Sequence, residues 1–249
     1  MVDFLKRDNN PDLAYVAVPP SRADAPCILF CGGYRSDMAG TKATFLEERC
    51  RAHGWGYVRF DYRGHGQSGG EFEAGFIGDW LGDARAVLHA VVMPDAPVII
   101  VGSSMGGWIG LSLARDNPAR VRGFIGIAAA PDFTAWIEAG LTPDQRHLLE
   151  SQGYFEEPNE YSDEPYRFRR DFLEEARAHL MMDGGGRIAY DGPVRLLQGM
   201  KDTSVEWQVA HRIKNALDSK DCDVILIEDG DHSLSRPHDL ALLEKSLVD

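Results

Sequence analysis

The sequence predicts an α/β fold, a mostly parallel sheet with helices packed on it, and three observations carry that reading. Short apolar runs recur along the chain, each closed by glycine, proline or charged residues. Segments with a 3.6-residue apolar period lie between them. Several of the runs are apolar throughout rather than alternating, as strands covered on both faces must be. A chain of 249 residues has room for one large domain with a core of its own.

The elements follow in order. Leu13–Val18 alternates loosely and stops at Pro19-Pro20, and Cys27–Cys31 is uniformly apolar and stops at Gly32-Gly33. Tyr57–Asp61, closed by Gly64 and Gly66, and then Val98–Gly102, Phe124–Ala128, Val194–Leu197 and Val224–Ile227 complete the strands. A helix is expected over Phe76–Val92, with apolar residues at 77, 80, 81, 84, 87, 88 and 91. Trp108, Ile109, Leu111, Leu113 and Ala114 carry another up to Pro118. Val205, Val209, Ile213 and Leu217 stand at fourfold spacing, and Leu240–Val248 is amphipathic with Pro237 suited to a first turn. Strand–helix alternation of this kind reads as a doubly wound sheet.

One region breaks the alternation. Between Asp132 and Asp191 no strand pattern stands out, while acidic residues (Glu156, Glu157, Glu160, Asp163, Glu164) accumulate. Helices are expected at about Pro143–Gln152 and Pro165–Met182, after which Gly184-Gly185-Gly186 releases the chain toward Val194. The division is a core of residues 1–131 and 192–249 and a helical insertion, 132–191. The functional reading of the insertion is a lid; the plain one is a long connection carrying surface helices.

Composition narrows the function classes. Lys plus Arg is 26 and Asp plus Glu is 39, a net charge of −13, which disfavours nucleic acid and anionic membrane surfaces as partners. No apolar run approaches the ~20 residues of a membrane span, so no stable membrane insertion is expected. Cys27, Cys31, Cys50 and Cys222 make neither a disulfide framework nor a CxxC metal site. The start of the chain lacks the apolar stretch of a signal peptide, and a cytoplasmic protein is expected.

Gly102-Ser103-Ser104-Met105-Gly106 fits G-x-S-x-G with Ser104 at its centre. A strand before it and a helix after it are the context in which this motif forms a nucleophile elbow. Such a turn lifts the serine hydroxyl beyond the sheet, at a helix N-terminus that favours developing negative charge. Ser103 is the rival, but only Ser104 has glycine two positions away on both sides. A serine needs a base, and the base an orienting acid, in the chain order Ser, Asp or Glu, His. His232, in the loop after Val224–Ile227, is the best base. Asp202, after Val194–Leu197, is the best acid, although it could serve only to cap the following helix. Asp229 and Asp231 lie nearer in sequence, but adjacent loop residues seldom reach the far ring nitrogen. The oxyanion hole is expected from the backbone N–H groups of Met105 and Tyr34, the latter beside Gly32-Gly33. Asp61-Tyr62-Arg63-Gly64-His65-Gly66-Gln67-Ser68 gathers Asp, Arg, His and Ser, yet its glycines mark a structural turn.

In these motifs and their order the chain resembles the α/β-hydrolase superfamily over nearly its full length. Gly33–Lys42, Gly102–Trp108 and Gly199-Met200-Lys201-Asp202 resemble the family of mitochondrial palmitoyl-protein thioesterases and acyl-glucuronide esterases. The resemblance implies an α/β-hydrolase fold and a serine esterase or thioesterase with Ser104, Asp202 and His232 as triad. Its substrate would be a small-molecule or acyl-protein ester or thioester, with no cofactor and no metal. The start of the chain points to a bacterial-type relative. A C–C bond hydrolase, an aminopeptidase and a silent scaffold that only binds remain as alternatives. Arg167, Arg169 and Arg170 follow the acidic cluster; either they pair with Glu156, Glu157 or Glu174, or one holds a carboxylate on the leaving group.

Overall fold

Strands β1 (Asp3–Leu5), β2 (Leu13–Val18), β3 (Cys27–Cys31), β4 (Gly56–Phe60), β5 (Val98–Ser103) and β6 (Val121–Ile127) lie in one eight-stranded sheet with two strands from the C-terminal part. A separate two-stranded hairpin, β7 (Tyr154–Glu157) and β8 (Tyr166–Arg169), intervenes before β9 (Val194–Gly199) and β10 (Cys222–Ile227). The computed structural model describes residues 1–158, 165–182 and 185–248. The sheet order is β1-β2-β4-β3-β5-β6-β9-β10, with β1 and β2 antiparallel and the rest parallel.

The α-helices among the described residues are α1 (Thr41–His53), α2 (Ile77–Ala90), α3 (Met105–Asp116), α4 (Phe133–Gly140), α5 (Pro143–Ser151), α6 (Arg170–Ala176), α7 (Gln208–Ala216) and α8 (Pro237–Val248). The uniformly apolar strands are explained by burial on both faces. Along β3, Leu29 packs with Trp80, Val87 and Trp108 of α2 and α3, while Ile28 and Phe30 join Ala43 and Leu46 of α1 and Leu243 of α8. The fourfold series Val205, Val209, Ile213 and Leu217 is buried as expected, though the helix itself begins at Gln208. Among the described residues no helix is long and apolar enough to cross a membrane.

The topology locates a crevice. From β3 the chain moves outward to β4, then returns to the other side of β3 as β5. Loops leaving adjacent strands in opposite directions part above the sheet, and ligands bind at such a switch point. Cys31 pairs with Gly102, Ser103 with Ile127 and Gly199 with Ile227, so β3, β5, β6, β9 and β10 end close to one level.

The 132–191 segment differs from the expected all-helical insertion. Its described residues hold the α-helices α4, α5 and α6, a 3-10 turn at Arg177–His179, and the antiparallel strand pair β7–β8, in which Phe155 pairs with Phe168 and Glu156 with Arg167. The helix expected over Pro165–Met182 is therefore strand to Arg169 and α-helix only over Arg170–Ala176. Glu160, Asp163, Glu164 and Gly184 lie outside the described residues. Asp132, with φ 62, accepts bonds from the Met181 and Met182 N–H groups at 2.8 and 2.7 Å and closes the base of the segment.

Candidate active site

Ser104 stands between the end of β5 and the start of α3 with φ 54 and ψ −120, a conformation costly to a side chain and held by its surroundings. Its N–H donates to Ile127 O at 2.9 Å, and its carbonyl accepts from Gly107 and Ala130 N–H at 2.8 and 3.0 Å. The flanking glycines are required by contact. A Cβ on Gly102 would lie 2.3 Å from Gly106 O, and one on Gly106 would lie 2.0 Å from Cys31 O. Strand, elbow and helix approach so closely that no side chain fits between them.

The His232 and Asp202 loops are locked to one another in the same way. Lys201 N–H bonds Gly230 O at 2.8 Å, and a Cβ on Gly199 would lie 2.4 Å from that same carbonyl. The structure brings the three expected residues together: His232 Nε2 lies 3.1 Å from Ser104 Oγ, and His232 Nδ1 lies 2.8 Å from Asp202 Oδ2. The hydrogen-bond chain requires the tautomer in which Nδ1–H donates to the carboxylate and Nε2 accepts from the serine hydroxyl. The Asp202 side chain is fully buried. Burial pushes its carboxyl up, but the His232 bond and the Val205 and Ser204 N–H groups outweigh it and hold it below the usual value. Gln198 Nε2, also buried, donates to Asp202 Oδ2 at 3.0 Å and to Val205 O at 3.1 Å. Asp229 instead pairs with Arg236, and Asp231 Oδ1 accepts from Leu234 N–H, so neither takes the place of Asp202.

Met105 is the first residue of α3, so its N–H precedes any intrahelical acceptor. Tyr34 sits in a tight turn closed by Ser36 N–H on Gly33 O, with Arg35 at φ 55. Both residues line one cavity of about 1070 Å³ with Ser104 and His232. Its aromatic wall was not legible in the sequence. The Tyr34 ring lies 4.9 Å from Phe72, 5.9 Å from Phe133 and 5.8 Å from Tyr166, joining the core to α4 and β8. Trp136 and Phe168 complete the wall. These residues come from four separate segments and share no spacing that would have flagged them. Gln198 and Lys42 were also missed, one in an apolar strand and the other in a charged helix.

The Asp61–Ser68 segment is a braced turn. Asp61 accepts from Met38 and Gln67 N–H at 2.7 and 2.8 Å, Ser68 Oγ donates to Asp61 O, and Arg63 pairs with Asp79 and Asp83. A Cβ on Gly66 would sit 2.2 Å from the Asp61 carboxylate. His65 is 3% exposed, with Nδ1 on Arg63 O, and burial pushes its pKa down to about 4.

Arg167, Arg169 and Arg170 are absent from the cavity lining. Arg167 pairs with Glu156 at 2.7 Å and lies over the Tyr154 ring; Arg169 pairs with Asp171 at 2.9 Å and donates to Glu73 O. Arg170 is exposed at the start of α6. Strand geometry explains the difference: in β8 the inward position belongs to Phe168, and its neighbours Arg167 and Arg169 turn the other way. All four cysteines are free and buried. Among the described residues no three His, Cys, Asp or Glu side chains gather as a metal-ligand set.

A family model described as serine aminopeptidase, S33, matches residues 24–153. The chain is 35% identical over 249 residues to human mitochondrial palmitoyl-protein thioesterase ABHD10, covering all of this chain and 79% of that protein. Its fold is similar to that of ABHD10 from mouse, with TM-score 0.91 and 36% identity over 100% of this chain and 97% of the other. It is similar too to a putative hydrolase from Agrobacterium vitis S4, with TM-score 0.92 and 40% identity over 100% and 97% of the two chains. The chain belongs to the α/β-hydrolase superfamily and, within it, to the enzyme family that includes the palmitoyl-protein thioesterase ABHD10.

Proposed function

We propose that the protein is a serine hydrolase that cleaves carboxylic esters or acyl thioesters through an acyl-enzyme on Ser104. The observation that carries this reading is the unbroken hydrogen-bond chain from Ser104 Oγ through His232 to the buried Asp202, with Ser104 and His232 lining a large cavity. His232 Nε2 takes the hydroxyl proton as Oγ attacks the carbonyl carbon. The Met105 and Tyr34 N–H groups hold the resulting oxyanion, aided by the positive end of α3. The carbon–oxygen or carbon–sulfur bond then breaks, and His232 gives its proton to the leaving atom. Water attacks the acyl-enzyme, His232 takes a proton from it, and Ser104 leaves as the free hydroxyl. Asp202 keeps the imidazole in its working tautomer and stabilises it when charged.

Phe133, Trp136, Tyr166 and Phe168 support reading residues 132–191 as a lid, because they put an apolar wall over the nucleophile. Such a wall suits an apolar acyl group and keeps bulk water off the acyl-enzyme. Arg167, Arg169 and Arg170 lend no support to a carboxylate-binding role. Buried free thiols fit a reducing compartment, of which the cytoplasm is one. The ABHD10 relatives are named mitochondrial, and cell fractionation separates the two addresses.

A fluorophosphonate probe should label Ser104 in the folded protein, and peptide mass spectrometry reads the site. A panel of p-nitrophenyl esters, acyl thioesters and acyl glucuronides then ranks the substrates. An aminopeptidase is the second reading, favoured by the family-model description and by the Glu157 carboxylate in the cavity lining. Faster turnover of aminoacyl p-nitroanilides than of any ester would move the assignment there. No labelling of Ser104 would defeat both.

A further inference from the structure

Lys42, the second residue of α1, lines the same cavity as Ser104 and His232. Its Nζ donates to Ser233 O at 2.5 Å and reaches Ser235 Oγ at 3.4 Å. Ser233 directly follows His232, so the ammonium grips the backbone next to the imidazole. The near side of this loop is fixed by Gly230 against Gly199 and Lys201. Beyond His232 the loop turns through Leu234 at φ 45 and Ser233 Oγ bonds Ser235 Oγ at 2.8 Å. Lys42 is the polar contact by which α1 holds this far side, next to the buried Leu234 that joins Ala43 and Leu46 in one apolar cluster.

We infer that Lys42 is a positioning residue for the reaction, clamping the His232 loop from inside the cavity so that Nε2 stays within reach of Ser104 Oγ. The inference rests on reading Ser104 and His232 as nucleophile and base. Even half-burying a lysine is costly, and an apolar side chain would fill the space without that cost. What only the ammonium supplies is a charge-assisted bond to a carbonyl together with a second donor for Ser235. Burial pushes its pKa down to about 8, against the opposing pull of Asp231 and Asp239. Asp37 and His232 line the cavity beside it, and Arg236 engages both Asp239 and Asp229. The clamp therefore weakens as pH rises through about 8, because the ammonium then loses its charge.

The test compares wild type, Lys42→Met and Lys42→Arg for p-nitrophenyl ester hydrolysis between pH 5.5 and 10. Fluorophosphonate labelling rates and melting temperatures are measured in parallel. Lys42→Met should lower kcat and the labelling rate by about 10- to 100-fold with KM within about twofold, as small misplacement of a catalytic group does. Wild-type kcat should fall on the alkaline side with a midpoint near pH 8, and that fall should vanish in Lys42→Met and move above the measured range in Lys42→Arg, whose charge persists. A folded Lys42→Met with wild-type kcat overturns the proposal, as does a variant that loses melting temperature but keeps the wild-type pH profile. If Lys42→Met does not fold, the profile of Lys42→Arg decides: a displaced alkaline limb supports the clamp and an unmoved one overturns it. Wild-type protein that fails to label at Ser104 overturns the hydrolase reading itself, whereas a labelled wild type with indifferent Lys42 variants overturns only the clamp.

Discussion

The two sides of the candidate active-site cavity are built by opposite means. On the sheet side, backbone positions the chemistry. Ser104 is held in a left-handed conformation by three main-chain hydrogen bonds, and Gly102, Gly106, Gly199 and Gly230 stand where main chains nearly touch. On the other side, rings do the work. Phe133, Tyr166 and Phe168 meet Tyr34 at centroid distances of 5.8 to 6.0 Å, and the outer surface carries exposed pairs such as Arg167–Glu156. Backbone contacts leave no slack, whereas ring packing tolerates exchange at roughly constant volume. Under the proposed function, chemistry would be set on the rigid side and substrate shape on the adaptable one.

The largest expected effects lie on the rigid side. Ser104→Ala should cost at least 10³-fold and as much as ~10⁶-fold in kcat with folding intact, and Ser103→Ala far less. Steady-state kinetics on the two variants checks this, and reversed results would move the elbow by one residue. Asp202→Asn should follow with a loss of about 10⁴-fold in kcat and little change in KM, because the imidazole loses its charged partner. Asp231→Asn should cost much less; a larger loss there would mean that the acid is misassigned.

His65 stands where the two sides meet, its ring 4.9 Å from Phe72 and 5.2 Å from Trp80. Its folded pKa, about 4, lies below the 6.5 of an unfolded chain. The unfolded state therefore binds the proton first, so stability holds above pH 6.5 and falls as pH drops toward 4. The loss at the acid end should approach roughly 3 kcal/mol. Urea unfolding of wild type and His65→Gln across that range measures it, and parallel pH profiles for the two would remove His65 as the cause.

On the adaptable side the effects should be smaller and fall on KM. Phe133→Ala should raise KM for long-chain acyl esters by about tenfold while sparing short ones, from the lost apolar contact. Arg167→Ala should leave KM for acyl glucuronides and neutral esters alike, since its guanidinium is spent on Glu156 at the surface. Should Arg167→Ala raise KM for the glucuronide alone, the hairpin would have to approach the leaving group in a closed form of the lid.

Legibility followed the same division. The strands before Ser104 and Asp202 were readable because nearly every position is buried, and Val224–Ile227 before His232, on a half-buried edge strand, was readable from its apolar run alone. Helix α1 was not, because only Ala43, Leu46 and Cys50 are buried on it and charged residues fill half of its remaining positions. The hairpin was hidden because Tyr154–Glu157 and Tyr166–Arg169 are short and highly charged; their ion pair and phenylalanine pair exist only once the strands are in register.

The sequence by itself determined the layered fold and the three residues proposed for the chemistry. Glycine requirements, burial on two faces and strand–loop–helix order are local properties that leave a local mark. Tertiary structure alone decided that Tyr34 would pack against rings of α4 and β8, that Lys42 would reach the histidine loop from another helix, and that three arginines would stay off the cavity. Those outcomes depend on which distant side chains converge and which way each strand face turns, and no window of sequence contains that information.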